Sequence, residues 1–215
     1  MKGNGKKLVV FVIIAALAVF MAVAPAWADG QKYRKTLQGE YAFTGSGVCT
    51  LSPTGFDPDF IPNTPGSAWM GPNFWEGVYT FNHNGKGKME TQQCYNEGPA
   101  ATVPIIPTVP YSSGCADLSW EFEYEIDGGA ITFTFIDTTY SLVYTVGPNV
   151  GVLPPIPIPP NTTSLTVFEQ PWTGRISPDG KNLNVFYGGP FLIRIPEFGT
   201  FECICNTVHQ GFRTK

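Results

Sequence analysis

The chain has 215 residues and a formal net charge of −4, from 17 acidic and 13 basic side chains. This acidic balance excludes the basic surface on which nucleic-acid binding depends, so no nucleic-acid partner is expected. The length is sufficient for one domain with a sizeable core, and a second domain is not needed.

The N-terminus has the pattern of an export signal. A head with three lysines precedes an unbroken apolar run at residues 8–24, and Ala26-Trp27-Ala28 has the small-x-small pattern of a cleavage site. We expect cleavage after Ala28 and a periplasmic or extracellular location. The alternative is a retained membrane anchor, because the run is near the minimum length of a spanning helix. The predicted division is a cleaved signal at 1–28, a flexible segment at 29–38 and one domain at 39–215.

Alternation of apolar and polar residues dominates the rest of the chain, which is typical of β-strands with one buried face. Its clearest example is the apolar series Leu118, Trp120, Phe122, Tyr124 and Ile126. After the Asp127-Gly128-Gly129 turn, the apolar positions are odd-numbered up to Phe135 but even-numbered at residues 140–146. We interpret this change of phase as a β-bulge near residues 137–139 within one long strand. The alternative is a second tight hairpin at that place.

Eight strands are predicted in all. Their ranges are 39–51, 74–82, 86–94, 118–127, 130–146, 164–176, 181–187 and 200–209. Tight turns at Asn84-Gly85, Asp127-Gly128-Gly129 and Pro178-Asp179-Gly180 alternate with long loops at 52–73, 95–117, 147–163 and 188–199. In an antiparallel meander every second connection lies at the same end, so the long loops share one rim and the tight turns share the other. An even strand count lets the first and last strands pair, which predicts an all-β, eight-stranded antiparallel up-and-down barrel.

All five cysteines follow the export signal, so disulfides are expected. Cys94 and Cys115 flank one long loop, and a disulfide between them contributes roughly 3 kcal/mol in the chain-entropy model. Cys49 ends the first strand at the rim that Cys203 and Cys205 occupy on the last strand, so it pairs with one of these two. The other is left as a buried, unreactive thiol.

Two of the long loops are apolar and rich in proline, at residues 103–110 and 152–160. One interpretation is a cap that folds over the rim and buries its own side chains. The other is an adhesive rim that binds a protein partner or an apolar ligand.

No catalytic, metal or cofactor motif stands out, so the sequence predicts neither an enzyme nor a cofactor. His83 lies in the Asn82-His83-Asn84-Gly85 turn, and nothing in the sequence marks a partner for His209. Acidic residues alternate along one strand, but calcium usually takes its ligands from a curved loop. We therefore assign them to the solvated outer face and predict no metal site. These residues are Glu121, Glu123, Glu125 and Asp127.

The predicted layout resembles the lipocalin and calycin barrels. Gly39-Glu40-Tyr41 at the start of the first strand is similar to their G-x-W motif, with tyrosine in place of tryptophan. The chain also resembles uncharacterised secreted bacterial proteins that begin with a G-x-Y strand and an early cysteine. The first resemblance implies carriage of small apolar molecules, which is an argument by analogy of fold.

The predicted function is non-catalytic binding of a small apolar or aromatic molecule in the mouth of the barrel. The candidate lining residues, which are equally candidates for the core, are Trp120, Phe122, Tyr124, Phe133, Phe135 and Tyr144. One alternative is an envelope or extracellular interaction module that works through the proline-rich loops. Another is a small outer-membrane barrel, against which the strand at 86–94 carries polar residues on both faces.

Overall fold

The computed structural model describes residues 36–65, 67–99, 112–136, 141–146, 163–195 and 199–214. The predicted export signal and the proline-rich stretches at 103–110 and 152–160 lie outside these residues. The side chain of Tyr144 also lies outside the description, although its backbone belongs to a strand.

The described chain is all-β and forms ten antiparallel strand segments. They are β1 (Gly39–Ser52), β2 (Trp69–Phe81), β3 (Lys86–Pro99), β4 (Ser112–Asp127), β5 (Ala130–Phe135), β6 (Ser141–Val146), β7 (Thr163–Phe168), β8 (Trp172–Ile176), β9 (Asn182–Ile195) and β10 (Gly199–Arg213). β4 pairs with both β5 and β6, and β9 pairs with both β7 and β8, so the ten segments occupy eight strand positions. β10 pairs with β9 and with β1, which closes the sheet. The predicted eight-stranded up-and-down barrel is confirmed.

The fifth strand position consists of β5 and β6, which pair with successive parts of β4. Phe135 lies opposite Phe122 of β4, and Ser141 lies opposite Ser119. Between these pairs β4 has two residues and the other strand has five, an excess of three. Because side chains alternate between faces, an odd excess exchanges the inward and outward positions. The change of phase in the sequence therefore marks one irregular strand and not a second hairpin, although residues 137–140 themselves lie outside the described residues.

The sixth strand position consists of β7 and β8, and here the register does not change. Phe168 lies opposite Phe191 and Thr173 opposite Phe186, so equal lengths of chain separate the two pairs. The backbone N–H of Glu169 donates to the carbonyl of Pro190 at 3.5 Å in the interval between them. The single predicted strand at 164–176 is thus correct in register, with an interruption next to Pro171, which has no N–H to donate.

Two sets of connections lie at opposite ends of the barrel, which we call the turn end and the loop end. The turns occupy residues 82–85, 128–129 and 177–181, and the loop-end connections span 53–68, 100–111, 147–162 and 196–198. The predicted loops at 52–73, 95–117 and 188–199 were too long, because β2, β3, β4 and β9 extend further towards the loop end.

The second half of β9 shows the reason for this error. Gly188-Gly189-Pro190 has the composition of a turn, yet Gly189 pairs with Cys205 and Pro190 with Ile204 of β10. Pairing with a strand that is already fixed in place overrides the local preference of these residues. Gly71-Pro72 in β2 was misread as a loop for the same reason.

Aromatic side chains fill the half of the barrel nearest the turn end. The buried rings there are Tyr41, Tyr79, Phe81, Phe122, Tyr124 and Phe133. Glycine at inward-facing positions makes room for them, since a Cβ on Gly87 would lie 2.4 Å from the Phe122 ring. Leu37 is fully buried, and the Tyr41 hydroxyl donates to the carbonyl of Gly180 at 2.5 Å. These contacts close the turn end.

The outer face of the barrel is richest in charge on β3 and β4 and carries exposed apolar residues on other strands. On β3 and β4 the outward side chains include acidic residues and lysines, with Lys86 Nζ 3.3 Å from Glu123 Oε1. The exposed residues on β1, β2, β9 and β10 include the apolar side chains of Val48, Phe74, Phe186 and Val208. The charges on β3 and β4 argue against a lipid-facing belt around the whole barrel.

Candidate functional site in the barrel interior

The aromatic residues predicted to line a ligand site lie together inside the barrel. Trp120, Phe122, Tyr124 and Phe133 are buried, and Phe135 is partly buried. Their rings pack against one another, with centroids 5.3 Å apart for Phe122 and Phe133 and 4.9 Å apart for Trp120 and Phe135. These contacts place the five residues in the packed core. The sixth predicted residue, Tyr144, has its side chain outside the described part of the chain.

The half of the barrel nearest the loop end has a different lining. Tyr187 of β9 points inward there, opposite Thr207 of β10, but many of the other inward-facing positions carry small or polar residues, which we call the small-residue belt. It consists of Gly47, Cys49, Gly71, Asn73, Gln93, Gly114, Ala116, Gly189, Cys203, Cys205 and Thr207. Trp69 and Phe201 follow the belt towards the loop end, whereas Tyr95 and Phe191 lie at its level, opposite Asn73 and Cys203. The belt adjoins the packed rings of the turn-end half, which we call the aromatic floor, and its small residues favour interior space beside them.

A buried histidine stands at the boundary between the floor and the belt. His209 of β10 is fully buried, and its Nδ1 lies 2.7 Å from the hydroxyl of Tyr79. Its ring stacks on Phe43 with centroids 4.7 Å apart. Trp75 of β2 and Trp172 of β8 each have ring centroids 5.2 Å from that of His209, and 6.4 Å from each other. Three strands thus bring three nitrogen-bearing rings to one place.

Burial keeps these groups neutral. Desolvation lowers the pKa of His209 to about 3, because the interior penalises the charged imidazolium. The same cause raises the pKa of Tyr79 well above its usual value, so its hydroxyl keeps its proton. The pair is therefore a neutral hydrogen bond at any physiological pH and not a charge relay.

Four buried nitrogen atoms, three in this ring cluster and one on Asn73, which lies two residues before Trp75 on the same face of β2, have no hydrogen-bond partner within the described chain. They are Nδ2 of Asn73, Nε1 of Trp75, Nε1 of Trp172 and Nε2 of His209, and we call them together the donor site. Asn73 Oδ1 does accept a hydrogen bond from Gln93 Nε2, at 2.9 Å. Buried polar atoms in native proteins are nearly always paired, so a group of four that are not marks a place where another molecule is expected.

The donor site was not predicted from the sequence, in which nothing marked a partner for His209. The signal was present in the alternation on β10. Phe201, Cys203 and Cys205 occupy alternate positions on one face, and the same alternation continued to residue 209 places His209 inside the barrel. Asn73 was hidden because its segment was read as a loop.

Both disulfides link directly opposed residues on neighbouring strands. Cys94 bonds Cys115 on the outer face, and Cys49 bonds Cys205 inside the barrel, each with a Cα–Cα distance of 4.1 Å. Both agree with the predicted pairings and show that Cys205, not Cys203, is the partner of Cys49. The buried Cys203 takes part in neither disulfide. The β3–β4 ladder continues past Cys94, so this disulfide joins two strands and does not close the base of a loop.

The remaining sequence candidates are exposed and separate from the donor site. His83 lies at the exposed turn end, and Glu121, Glu123 and Glu125 point outward from β4. Within the described ranges, no three His, Cys, Asp or Glu side chains group closely enough to hold a metal ion. Across the same residues, the structure contains no helix with the length and apolar composition of a membrane span.

Comparison of the chain with family models and with curated proteins found no match. The resemblance to lipocalin and calycin barrels accordingly rests on the closed eight-stranded architecture.

Proposed function

We propose that the protein is an exported, non-catalytic barrel that binds a small apolar or aromatic molecule at the small-residue belt. The observation that carries the proposal is the position of the donor site. It lies beside small inward-facing residues and next to an aromatic floor, which is the usual make-up of a small-molecule site. The predicted export signal and the two disulfides support an oxidising, extracytoplasmic location.

The proposal moves the ligand away from the aromatic residues first predicted to line it. Phe122 and Phe133 are fully buried and pack in a ring cluster with Phe81 and Tyr79. Removing such a ring would cost packing energy without opening a path to the loop end. The belt, in contrast, lies between this cluster and the connections of the loop end.

The first experiment is native mass spectrometry of protein taken from the periplasm or medium of its own source. A co-purifying small molecule that is released on denaturation is the expected result. The same spectrum gives the mass of the mature chain, which should begin at Asp29. A ligand-free mass, together with failure to bind the apolar fluorophore N-phenyl-1-naphthylamine, would contradict the proposal.

Two alanines provide a matched pair of variants that locate the binding. Ala116 is buried and belongs to the small-residue belt, whereas Ala130 is exposed on the outer face of β5. Ala116→Leu should weaken binding of the fluorophore at least about tenfold by filling the belt, and Ala130→Leu should leave it unchanged. Circular dichroism should show that both variants keep the β-barrel. Equal binding by the two variants would show that the ligand lies elsewhere.

The interaction-module alternative depends on the proline-rich stretches at 103–110 and 152–160. Since both lie outside the described residues, it stays a prediction. The outer-membrane alternative is tested by solubility, because a soluble barrel should refold and remain monodisperse without detergent, whereas strict dependence on detergent would favour the membrane form.

A further inference from the structure

The chemistry of the donor site indicates what kind of group it binds. Its four nitrogens come from three strands that surround the interior: Asn73 and Trp75 from β2, Trp172 from β8 and His209 from β10. Each of these side chains is at least nine-tenths buried. A row of unpaired nitrogens on one strand could result from local distortion, but a set drawn from three strands indicates a shared occupant.

The hydrogen bond to Tyr79 fixes the role of His209. Tyr79 is fully buried, and its hydroxyl has His209 Nδ1 at 2.7 Å. If Nδ1 carried the hydrogen, the tyrosine proton would need a second acceptor in an apolar interior. The arrangement that satisfies both groups has Tyr79 donating to Nδ1, which places the imidazole hydrogen on Nε2. His209 therefore presents an N–H at Nε2, and all four nitrogens of the donor site are donors.

The surroundings of these donors favour a neutral acceptor over an ion. The rings packed against His209 are Phe43, Trp75, Tyr79 and Trp172, and none of them bears a formal charge. Burying an anion in such an environment costs far more free energy than burying a neutral carbonyl group. Unpaired N–H groups in an apolar site also penalise any ligand that lacks an acceptor, because they are then left unsatisfied.

We propose, building on the proposed function, that the ligand of the barrel carries a neutral carbonyl oxygen whose two lone pairs accept hydrogen bonds from two nitrogens of the donor site. The apolar part of the ligand then occupies the small-residue belt. The aromatic floor formed by Phe43 and Tyr79 limits how deeply the carbonyl enters. The ligand class is thus a compact ketone, aldehyde, ester or amide with an apolar or aromatic body.

Acetophenone and ethylbenzene form a matched pair of probes, because they differ mainly in the replacement of a carbonyl by a methylene. Each is titrated into the disulfide-bonded mature protein while the indole N–H signals of Trp75 and Trp172 are followed by proton–nitrogen NMR. Acetophenone should bind at least about tenfold more tightly than ethylbenzene and should move both indole signals downfield.

Two other outcomes would overturn the inference in distinguishable ways. Equal affinities for the two probes would refute the carbonyl preference and leave the proposed binding function intact. Cross-peaks from the indole N–H groups to a long-lived internal water, with no response to either probe or to N-phenyl-1-naphthylamine, would refute both.

Variants test whether the preference comes from the donor site. Trp172→Phe keeps a ring but removes one donor, and it should reduce the preference for acetophenone several-fold. Phe74→Leu, on the exposed outer face of β2, is the control and should keep the full preference. If Trp172→Phe fails to fold, Trp75→Phe serves in its place. A full preference in the donor variant would contradict the assignment.

Discussion

The hydroxyl of Tyr79 on β2 and Nδ1 of His209 on β10 lie 2.7 Å apart, although these two strands are not neighbours in the sheet. β1 runs between them, so the hydrogen bond joins two strands that share no ladder. It links residues 130 positions apart in the chain. This contact holds the imidazole in one orientation inside the barrel.

Tyr79→Phe should destabilise the barrel by about 1–3 kcal/mol, because it leaves Nδ1 of His209 buried without a partner. The free energy of unfolding in urea measures the loss. Tyr124→Phe is a suitable control, since its partly buried hydroxyl donates to the carbonyl of Asn82 near the solvent-exposed turn. The control should lose about 1 kcal/mol or less. Equal losses in the two variants would show that the Tyr79–His209 hydrogen bond stabilises the barrel no more than the hydrogen bond of Tyr124 does.

The stability of the protein should fall in mild acid because of His209. Its pKa in the folded state is lowered by burial from 6.5 to about 3, so the unfolded chain takes up the proton first. The stability that neutral, buried His209 contributes is constant above the pKa of the unfolded histidine. It is lost as the pH falls towards the pKa of the folded one. The free energy of unfolding should fall by about 1.4 kcal/mol for each pH unit below the pKa of the unfolded histidine.

Urea titrations at several pH values between 6.5 and about 5 measure this slope. His209→Phe should show a flatter profile in the same window. The exposed His83 is present in both proteins, so its contribution cancels. An unchanged slope in the variant would assign the acid sensitivity to other groups.

The two disulfides should differ in their effect on stability. The Cys49–Cys205 bond spans 156 residues and the Cys94–Cys115 bond spans 21. In the chain-entropy model, losing them costs roughly 5 and roughly 3 kcal/mol, respectively. Paired Cys→Ala variants compared in urea test the order, with Cys203→Ala as a control that keeps both bonds. Peptide mapping that found Cys49 joined to Cys203 would contradict the pairing.

Gly45 should tolerate no side chain. A Cβ at this position would lie 2.3 Å from Cδ2 of His209, so Gly45→Ala should cost about 1–3 kcal/mol by overpacking. Gly188 is exposed, and a Cβ there would meet the mobile end of the Asn206 side chain at 3.0 Å. Gly188→Ala should therefore change the unfolding midpoint little. Similar losses at both positions would mean that the interior can adapt around His209.

The architecture of the barrel was predictable because the alternating residues and turn sequences that determine it are local patterns repeated along the chain. The series from Leu118 to Ile126 alternates without interruption, and the turn at Asp127-Gly128-Gly129 marks its end. The cysteine positions then supplied an independent check on which strands meet. Strand ends were less predictable, since residues such as Gly189 and Pro190 join a strand only because β10 is already beside them.

The donor site was harder to predict because its members share no local pattern. Asn73, Trp172 and His209 come from three separate strands, and only the closure of the sheet brings them together. The conspicuous aromatics, such as Phe122 and Phe133, proved to be packed core. A single polar residue at an inward position, such as Asn73 or His209, was the more informative feature.

The pairing of β10 with β1 also bears on how freely the chain can be rearranged. Tyr41 lies opposite Arg213 in a ladder like those between the other strands, so the barrel has no terminal strand in space. A peptide linker between residues 213 and 39 would act as one more tight turn at the turn end. New termini could then be opened at another turn, such as 128–129, with the strand pairing unchanged. A circular permutant of this kind should keep both disulfides and the Tyr79–His209 contact. Other proteins could therefore be fused to the barrel at different turns of the turn end.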